Sequence, residues 1–333
     1  MKRIVYIVLL IGLYSCYNEG KETGDEVLLK GEAQGTTYTI KYIAEEEAGV
    51  KEEMDSLLKA IDLSMSTYEP SSVISHLNHG DTVTIDTMFQ AMYVLSRNLS
   101  VATRGAFNPT IGPLIKAWGF DFSDPQKMDS NTVKELLLSS GFSKFQFQEG
   151  RMWKVDEKAR INFNAVAQGY SVDLMASILE DKGIENYYVE LGGELKVKGR
   201  NKNDEWWVIG IDQPKDNNED RELAARISLE NAAMATSGNY RKFYEIDGKR
   251  YSHTLNPGTG YPVENNLLSA TVVSSNCALS DALATAFMVM GVEEIEKFLE
   301  KRQDIQVHLI LAKEDGGFDT YTSESLKEKF LED

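Results

Sequence analysis

The chain has 333 residues, with 35 Lys and Arg against 52 Asp and Glu, a formal net charge of −17, and 42% hydrophobic residues. That length allows one large or two ordinary domains with a sizeable core. The acidic balance speaks against nucleic acid as a partner and against an anionic membrane surface reached by charge; an anionic substrate would need a cation or helix N-termini locally.

At the N-terminus, Lys2 and Arg3 precede an apolar run from Ile4 to Leu13. As a helix this run would rise only about 15 Å, half a bilayer core, so it reads as the h-region of a secretory leader and not as a span. Leu13-Tyr14-Ser15-Cys16 resembles a lipobox, in which the cut falls before a cysteine that is then acylated, although Tyr14 is bulkier than the residue usual there. Residues 1–15 are thus expected to be a lipoprotein signal peptide and residues 16–26 an acidic, flexible tether. The expected location is a lipid anchor on the periplasmic face of the bacterial inner membrane. The outer membrane is the alternative, since Tyr17 carries no clear retention signal. Loss of Lys2 and Arg3 leaves 33 basic against 52 acidic residues, or −19. Acylation of Cys16 leaves Cys277 alone, so the mature chain has no intramolecular disulfide and relies on its core.

Residues 27–333 form the folded part, with no Pro/Gly/Ser linker and no repeat. Val27 to Tyr42 alternates like one strand, loosened at Gly31 and Gly35. Met54, Leu57, Leu58 and Ile61 fall at helical spacing, and a polar turn at 64–70 ends that helix. Residues 87–103, Thr132 to Ser140 and Tyr170 to Asp181 predict three more helices, stopped by Gly105, Gly141 and Gly183. Strands are predicted at Tyr187 to Leu191, Glu194 to Lys198, Trp207 to Ile211, Thr271 to Ser274 and Gln306 to Ala312. The interleaving lacks a steady βαβ rhythm. The expected fold is therefore α+β, with mixed β-sheets and flanking helices in one compact unit, a two-lobed form being the alternative.

A final helix is predicted from Ser280, read as its N-cap, to Gly291. Asp281 then falls in the first turn, where a carboxylate favours the helix dipole. Thr285 stands four residues on, so a carboxylate and a hydroxyl project from one face. Oxygen donors without imidazole or thiolate suit a hard cation such as Mg2+, with room left for water and phosphate. Ala282, Ala284 and Ala286 would let a bulky ligand approach. The alternative is a buried helix whose Thr bonds back to a carbonyl.

Several glycine-containing stretches mark places where backbone can approach a ligand. In order they read Gly-Glu-Ala-Gln-Gly-Thr-Thr-Tyr (31–38), Ser-Thr-Tyr-Glu-Pro (66–70), Gly-Ala-Phe-Asn-Pro-Thr (105–110), Trp-Gly-Phe (118–120) and Ala-Gln-Gly-Tyr-Ser-Val-Asp (167–173). They continue with Gly-Gly-Glu (192–194), Ala-Thr-Ser-Gly-Asn-Tyr (235–240), His-Thr-Leu-Asn-Pro-Gly-Thr-Gly (253–260) and Asp-Ala-Leu-Ala-Thr-Ala (281–286). In wording and order this chain resembles the ApbE family, the FAD:protein FMN transferases, over residues 27–333.

The resemblance implies transfer of FMN from FAD to a Thr or Ser hydroxyl of a partner, with Mg2+, formation of a phosphoester and release of AMP. The partner it implies is a flavin-acceptor subunit of a membrane redox complex. It also implies that the metal is held by the side chains of Asp281 and Thr285 and the backbone carbonyl of Ala165. FAD contacts would fall on Gln34, Tyr68, Ala106, Phe107, Asn108, Asn162, Gln168 and the segment from His253 to Leu255. Asn108 and Asn162 stand where the family commonly has Asp, and Gln168 where it has Lys or Glu; amides can bond the cofactor but not carry its charge. Tyr68, Phe107 and Tyr240 are candidate walls for the flat rings. His253 is the candidate for moving the hydroxyl's proton, since imidazole titrates near neutral pH, with a structural or phosphate-binding role as the alternative. His76, His79 and His308 read as surface or packing residues. Hydrolysis of FAD to FMN and AMP, or a non-catalytic flavin-binding lipoprotein, are the rival readings.

Overall fold

The chain's first described strand ends in a turn that the sequence pattern had run through. A computed structural model describes residues 24–45, 49–121, 123–214, 222–239, 243–246, 249–252 and 254–332. The expected signal peptide and Cys16 lie outside these residues, while the expected tether overlaps them, because strand β1 (Asp25–Ala33) already pairs from Asp25 to Ala44. The single strand expected over 27–42 is a hairpin of β1 and β2 (Thr36–Ala44). Gln34 and Gly35, both at positive φ (52° and 73°), form its two-residue turn, the conformation that matches strand twist in tight hairpins. Alternation continues across a tight turn, so periodicity alone does not reveal it.

Helix α1 (Val50–Met65) buries Met54, Leu58 and Ile61 as the spacing predicts. Helix α2 (Val73–His79), strand β3 (Val83–Thr84) and helix α3 (Thr87–Ala102) follow, with Ser72 and Asp86 capping the two helices. Helices α4 (Gly112–Trp118) and α5 (Ser130–Leu138) lead to β4 (Phe145–Gln148) and β5 (Arg151–Lys154), which join β3 in a small sheet. Helix α6 (Ala167–Asp181) starts three residues before the predicted Tyr170. Strands β6 (Tyr187–Leu191) and β7 (Glu194–Lys198) form at the predicted positions. They are followed by β8 (Trp207–Asp212), β9 (Leu223–Leu229), β10 (Ala232–Gly238), β11 (Phe243–Ile246), β12 (Lys249–Ser252) and β13 (Leu267–Ser274). Helices α7 (Cys277–Met290) and α8 (Val292–Leu299), strands β14 (Gln306–Ala312) and β15 (Phe318–Thr322) and helix α9 (Glu324–Lys327) complete the chain.

The main sheet has eight strands in the order β1-β2-β6-β7-β10-β13-β14-β15. The α+β class is as expected, but where mixed sheets were anticipated every pairing between these strands is antiparallel. Element order alone does not fix strand direction when long connections separate the partners. Alternation along the strands divides the core. Ala233 and Val272 face α6 and α7, while their neighbours Met234 and Val273 pack with Trp207, Ile209 and Ile227 of the β8–β9 ribbon. Ala278, Ala282 and Ala286 of α7 reach into the cluster built by α1–α3 and β3–β5, so the layers share one helix and form the single compact unit.

His308 on β14 is buried, 2.8 Å from Thr322 Oγ1 on β15, with its ring against Phe330. Burial pushes its imidazole down to about 4, so the unfolded chain binds a proton below about pH 6.5 that the folded chain refuses. Its contribution to stability is present above that pH and is lost as pH falls toward 4. Between pH 7.5 and 5, wild type should therefore lose about 2 kcal/mol more stability than His308→Gln, read from paired urea titrations. Equal losses would contradict this.

Candidate active site

Helix α7 is apolar on nearly every face and packs against α6, α3, β10 and β13, so each polar group on it must find a partner. It begins earlier than predicted. Asn276 is the N-cap, accepting from the Leu279 N–H at 2.8 Å, whereas Ser280 lies inside the helix with its hydroxyl 2.8 Å from that of Ser274. Asp281 is therefore in the second turn, beyond its own helix's free amides. Its Oδ2 accepts instead from the Gly169 N–H, at 3.0 Å, in the first turn of α6. The favour is returned: Asp173 of α6 accepts from the Cys277 N–H at 3.0 Å and the Ala278 N–H at 2.9 Å, the first amides of α7. Each helix supplies the carboxylate that the other's positive end attracts.

This exchange needs close approach. A Cβ on Gly169 would lie 2.5 Å from the Cys277 carbonyl oxygen and 2.8 Å from the Asp281 Cβ. Ala282, Ala284 and Ala286, expected to admit a ligand, are instead fully buried and let α7 sit tightly between two core clusters. A helix enclosed on all sides spends its small residues on packing.

The electrostatics are strained. Asp281 is 7% exposed, and burial pushes its carboxyl up to about 7 against the pull of the Gly169 N–H. Glu194, the first residue of β7, is pushed well above the usual carboxylate range by burial and then by the Asp281 charge. Burial also raises Asp173, opposed by its two amides and by Lys196 Nζ at 3.5 Å. Thr285, a turn beyond Asp281, has its Oγ1 3.1 Å from the Ser237 hydroxyl on β10. Ala165 lies just before α6, so the loop holding its carbonyl runs directly into the turn that Asp281 caps. A carboxylate, a hydroxyl and a carbonyl suit a hard divalent cation, and a buried carboxylate raised for want of positive charge is the environment such an ion would relieve.

The other predicted residues gather unevenly. Gln34 donates from Nε2 to the Ser171 hydroxyl at 2.7 Å, and Ser171 donates in turn to the Ala167 carbonyl, so the β1–β2 turn is tied to the start of α6. Gln168 lies against Gly192, where an added Cβ would come within 2.7 Å of its Nε2. Tyr68 is 56% exposed and accepts from Asn164 Nδ2 at 3.1 Å, beside Ala165. Phe107 is 2% exposed within the cluster of Phe89 and Phe163, so its ring anchors the 105–110 turn and does not wall a ligand; neighbouring Ala106 is only partly buried. Asn108 Oδ1 accepts from the Thr110 N–H and hydroxyl at 3.0 and 2.6 Å, and Asn162 Oδ1 from the Asn164 N–H at 2.8 Å. Both amides shape their own loops, which the Asn162 N–H joins through the Pro109 carbonyl at 2.8 Å. Leu255 is buried with Ile111, Leu114 and Trp118. His253 and Tyr240 lie outside the described residues. Asp173, Gly169 and Glu194 were inside the quoted motifs but received no role, because their partners are distant in sequence; Asp173 and Cys277 are 104 residues apart.

Known proteins resemble this chain over most of its length. The ApbE family model matches residues 34–309. The FAD:protein FMN transferase of Vibrio cholerae is 34% identical over 97% of both chains, and that of Haemophilus influenzae 32% identical over 97% of this chain and 96% of its own. The solved flavin transferase ApbE from Vibrio cholerae superposes with a TM-score of 0.81 at 33% identity, covering 93% of this chain and 100% of that one. The apo form of Pseudomonas stutzeri flavinyl transferase ApbE gives 0.82 at 29% identity, covering 92% and 97%.

Gly169→Ala forces α6 and α7 apart and should cost about 2 kcal/mol or more, read as a lower urea midpoint at unchanged m-value. Wild-type stability in that variant would contradict the close approach of the two helices.

Proposed function

The chain belongs to the ApbE family, and from that premise we propose that it transfers the FMN half of FAD to a hydroxyl of another protein. The observation that carries the reading at the site is the buried Asp281 carboxylate, held on the first turn of α6 with the Thr285 hydroxyl a turn away. In the reaction, a Thr or Ser oxygen of the acceptor forms a bond to the FMN-side phosphorus as the bond to the AMP oxygen breaks. AMP leaves with the electron pair, and a phosphoester remains. Mg2+, when bound, neutralises the charge that grows on the pyrophosphate oxygens.

The chain's own residues supply the frame. Asp281, Thr285 and the Ala165 carbonyl hold the cation, and the positive end of α6 favours the phosphates nearby. Tyr68, exposed and held by Asn164, offers a face to a flat ring. His253 takes the proton from the attacking hydroxyl. The acceptor is a flavin-carrying subunit of a membrane redox complex, and the leader with Cys16 anchors the enzyme by lipid on the periplasmic face of the inner membrane. Cys16→Ala should move the protein from the membrane pellet to the soluble fraction; a variant that stays in the pellet counts against the anchor.

Detergent-solubilised protein incubated with FAD, Mg2+ and a fragment of such a subunit should yield a fluorescent acceptor band on a denaturing gel. Asp281→Ala should slow its appearance by about a thousandfold or more, the scale of several kcal/mol of charge stabilisation, with the far-UV spectrum unchanged. Free FMN and AMP with an unlabelled acceptor would assign the site to hydrolysis, and an unaffected Asp281→Ala variant would overturn the cation site.

A further inference from the structure

Glu194 is the first residue after the turn between β6 and β7, where Gly192 and Gly193 reverse the chain at φ 67° and 115°. The turn is fixed from outside the site, since the Gly193 N–H donates to Glu190 Oε1 at 2.8 Å. It delivers Glu194 to the middle of the main sheet, against α7. There its side chain is 8% exposed, and among the described residues its Oε2 has no hydrogen-bond partner. A buried carboxylate oxygen without a donor is costly, and folds rarely keep one without a use.

The surrounding charges sharpen the point. Cys277, at the start of α7, feels three carboxylates, those of Asp173, Glu194 and Asp281, against one lysine, Lys196. Lys196 is turned to Asp173, at 3.5 Å, and Asp173 is further satisfied by two amides. Asp281 has the Gly169 N–H. The charges acting on Glu194 are those of other carboxylates, Asp281 and Glu190. Among the described residues no trio of carboxylate, imidazole or thiol groups is close enough to chelate a metal, so Glu194 does not complete a direct cage with its acidic neighbours.

We propose that Glu194 is a positioning residue for the divalent cation, its unpartnered Oε2 accepting a hydrogen bond from a water bound to the ion beside Asp281. Magnesium keeps several waters when proteins bind it, and an oriented water needs an acceptor behind it. The inference rests on Asp281 and Thr285 being the cation's ligands. Glu194 then acts through the ion's water and sets how tightly and in which orientation the hydrated ion sits, while Lys196 and Asp173 set the start of α7.

The test uses the full chain in detergent without FAD, with Mn2+ as probe, its free signal followed by electron paramagnetic resonance. Wild type should bind Mn2+ and Asp281→Ala should not. Glu194→Gln, which keeps the shape but carries a weaker acceptor, should raise the Mn2+ Kd by about tenfold to a hundredfold, with a metal-free melting temperature equal to or above wild type. Glu194→Asp, shorter by one methylene but still charged, should fall between them. A Kd within twofold of wild type in Glu194→Gln, or metal-free melting temperatures that fall in both variants while Mn2+ binding is retained, would reduce Glu194 to a structural part and overturn the inference. Failure of Asp281→Ala to lose Mn2+ would overturn the cation site itself, a separable outcome.

Discussion

The rest of the site depends on two helices capping each other. Helices α6 and α7 each carry first-turn amides on buried residues, Gly169 in α6 and Cys277 and Ala278 in α7, and each meets them with a carboxylate from the other. The two contacts are charge-assisted and lie at the positive ends of helix dipoles, which makes them stronger than ordinary amide bonds. They also fix the relative rotation and height of the helices. Asp281 cannot reach the Gly169 N–H unless Asp173 reaches Cys277 and Ala278, because both pairs depend on one approach that only a glycine at 169 permits. Sequence, packing and chemistry meet here: the residue that caps α6 is the one expected to hold the cation.

That arrangement leaves negative charge in a dry place. Asp173, Glu194 and Asp281 are each less than a tenth exposed, in a chain that is already acidic throughout. A carboxylate so placed protonates or finds positive charge. Asp173 is provided for by amides and Lys196, but burial raises Asp281 to about 7 and Glu194 well above its ordinary range. A divalent ion reverses this logic, turning groups that resist ionisation into ligands or water acceptors. Keeping these carboxylates buried costs the fold stability, a trade common at functional sites.

Much of the fold could be read in the sequence where local pattern decides it. The Gly-Gly turn at 192–193 separates two strands that form at the predicted residues, and the spacing of Met54, Leu58 and Ile61 identifies the buried face of α1. Local pattern misled where tertiary partners decide. Ser280 is a better cap by residue type than its burial allows, and Asn276 took the place. The alanines of α7 looked like space for a ligand but are the price of enclosure on every side. Phe107 looked like a wall and is core, and the sequence did not reveal that Asn108 and Asn162 also hold their own loops together. Asp281 and Thr285 were legible because a helix puts residues four apart on one face. Asp173 and Glu194 were not, since what gives them meaning lies on other elements.

Crystals of the protein grown with FAD and soaked in Mn2+ would test the central claim most directly, through the anomalous difference map. The account predicts one strong peak between the Asp281 carboxylate, the Thr285 hydroxyl and the Ala165 carbonyl, at roughly 2 Å from each oxygen, with the Gly169 N–H still on Asp281. A peak elsewhere, or density for the pyrophosphate bound with no ion at these three oxygens, would contradict it.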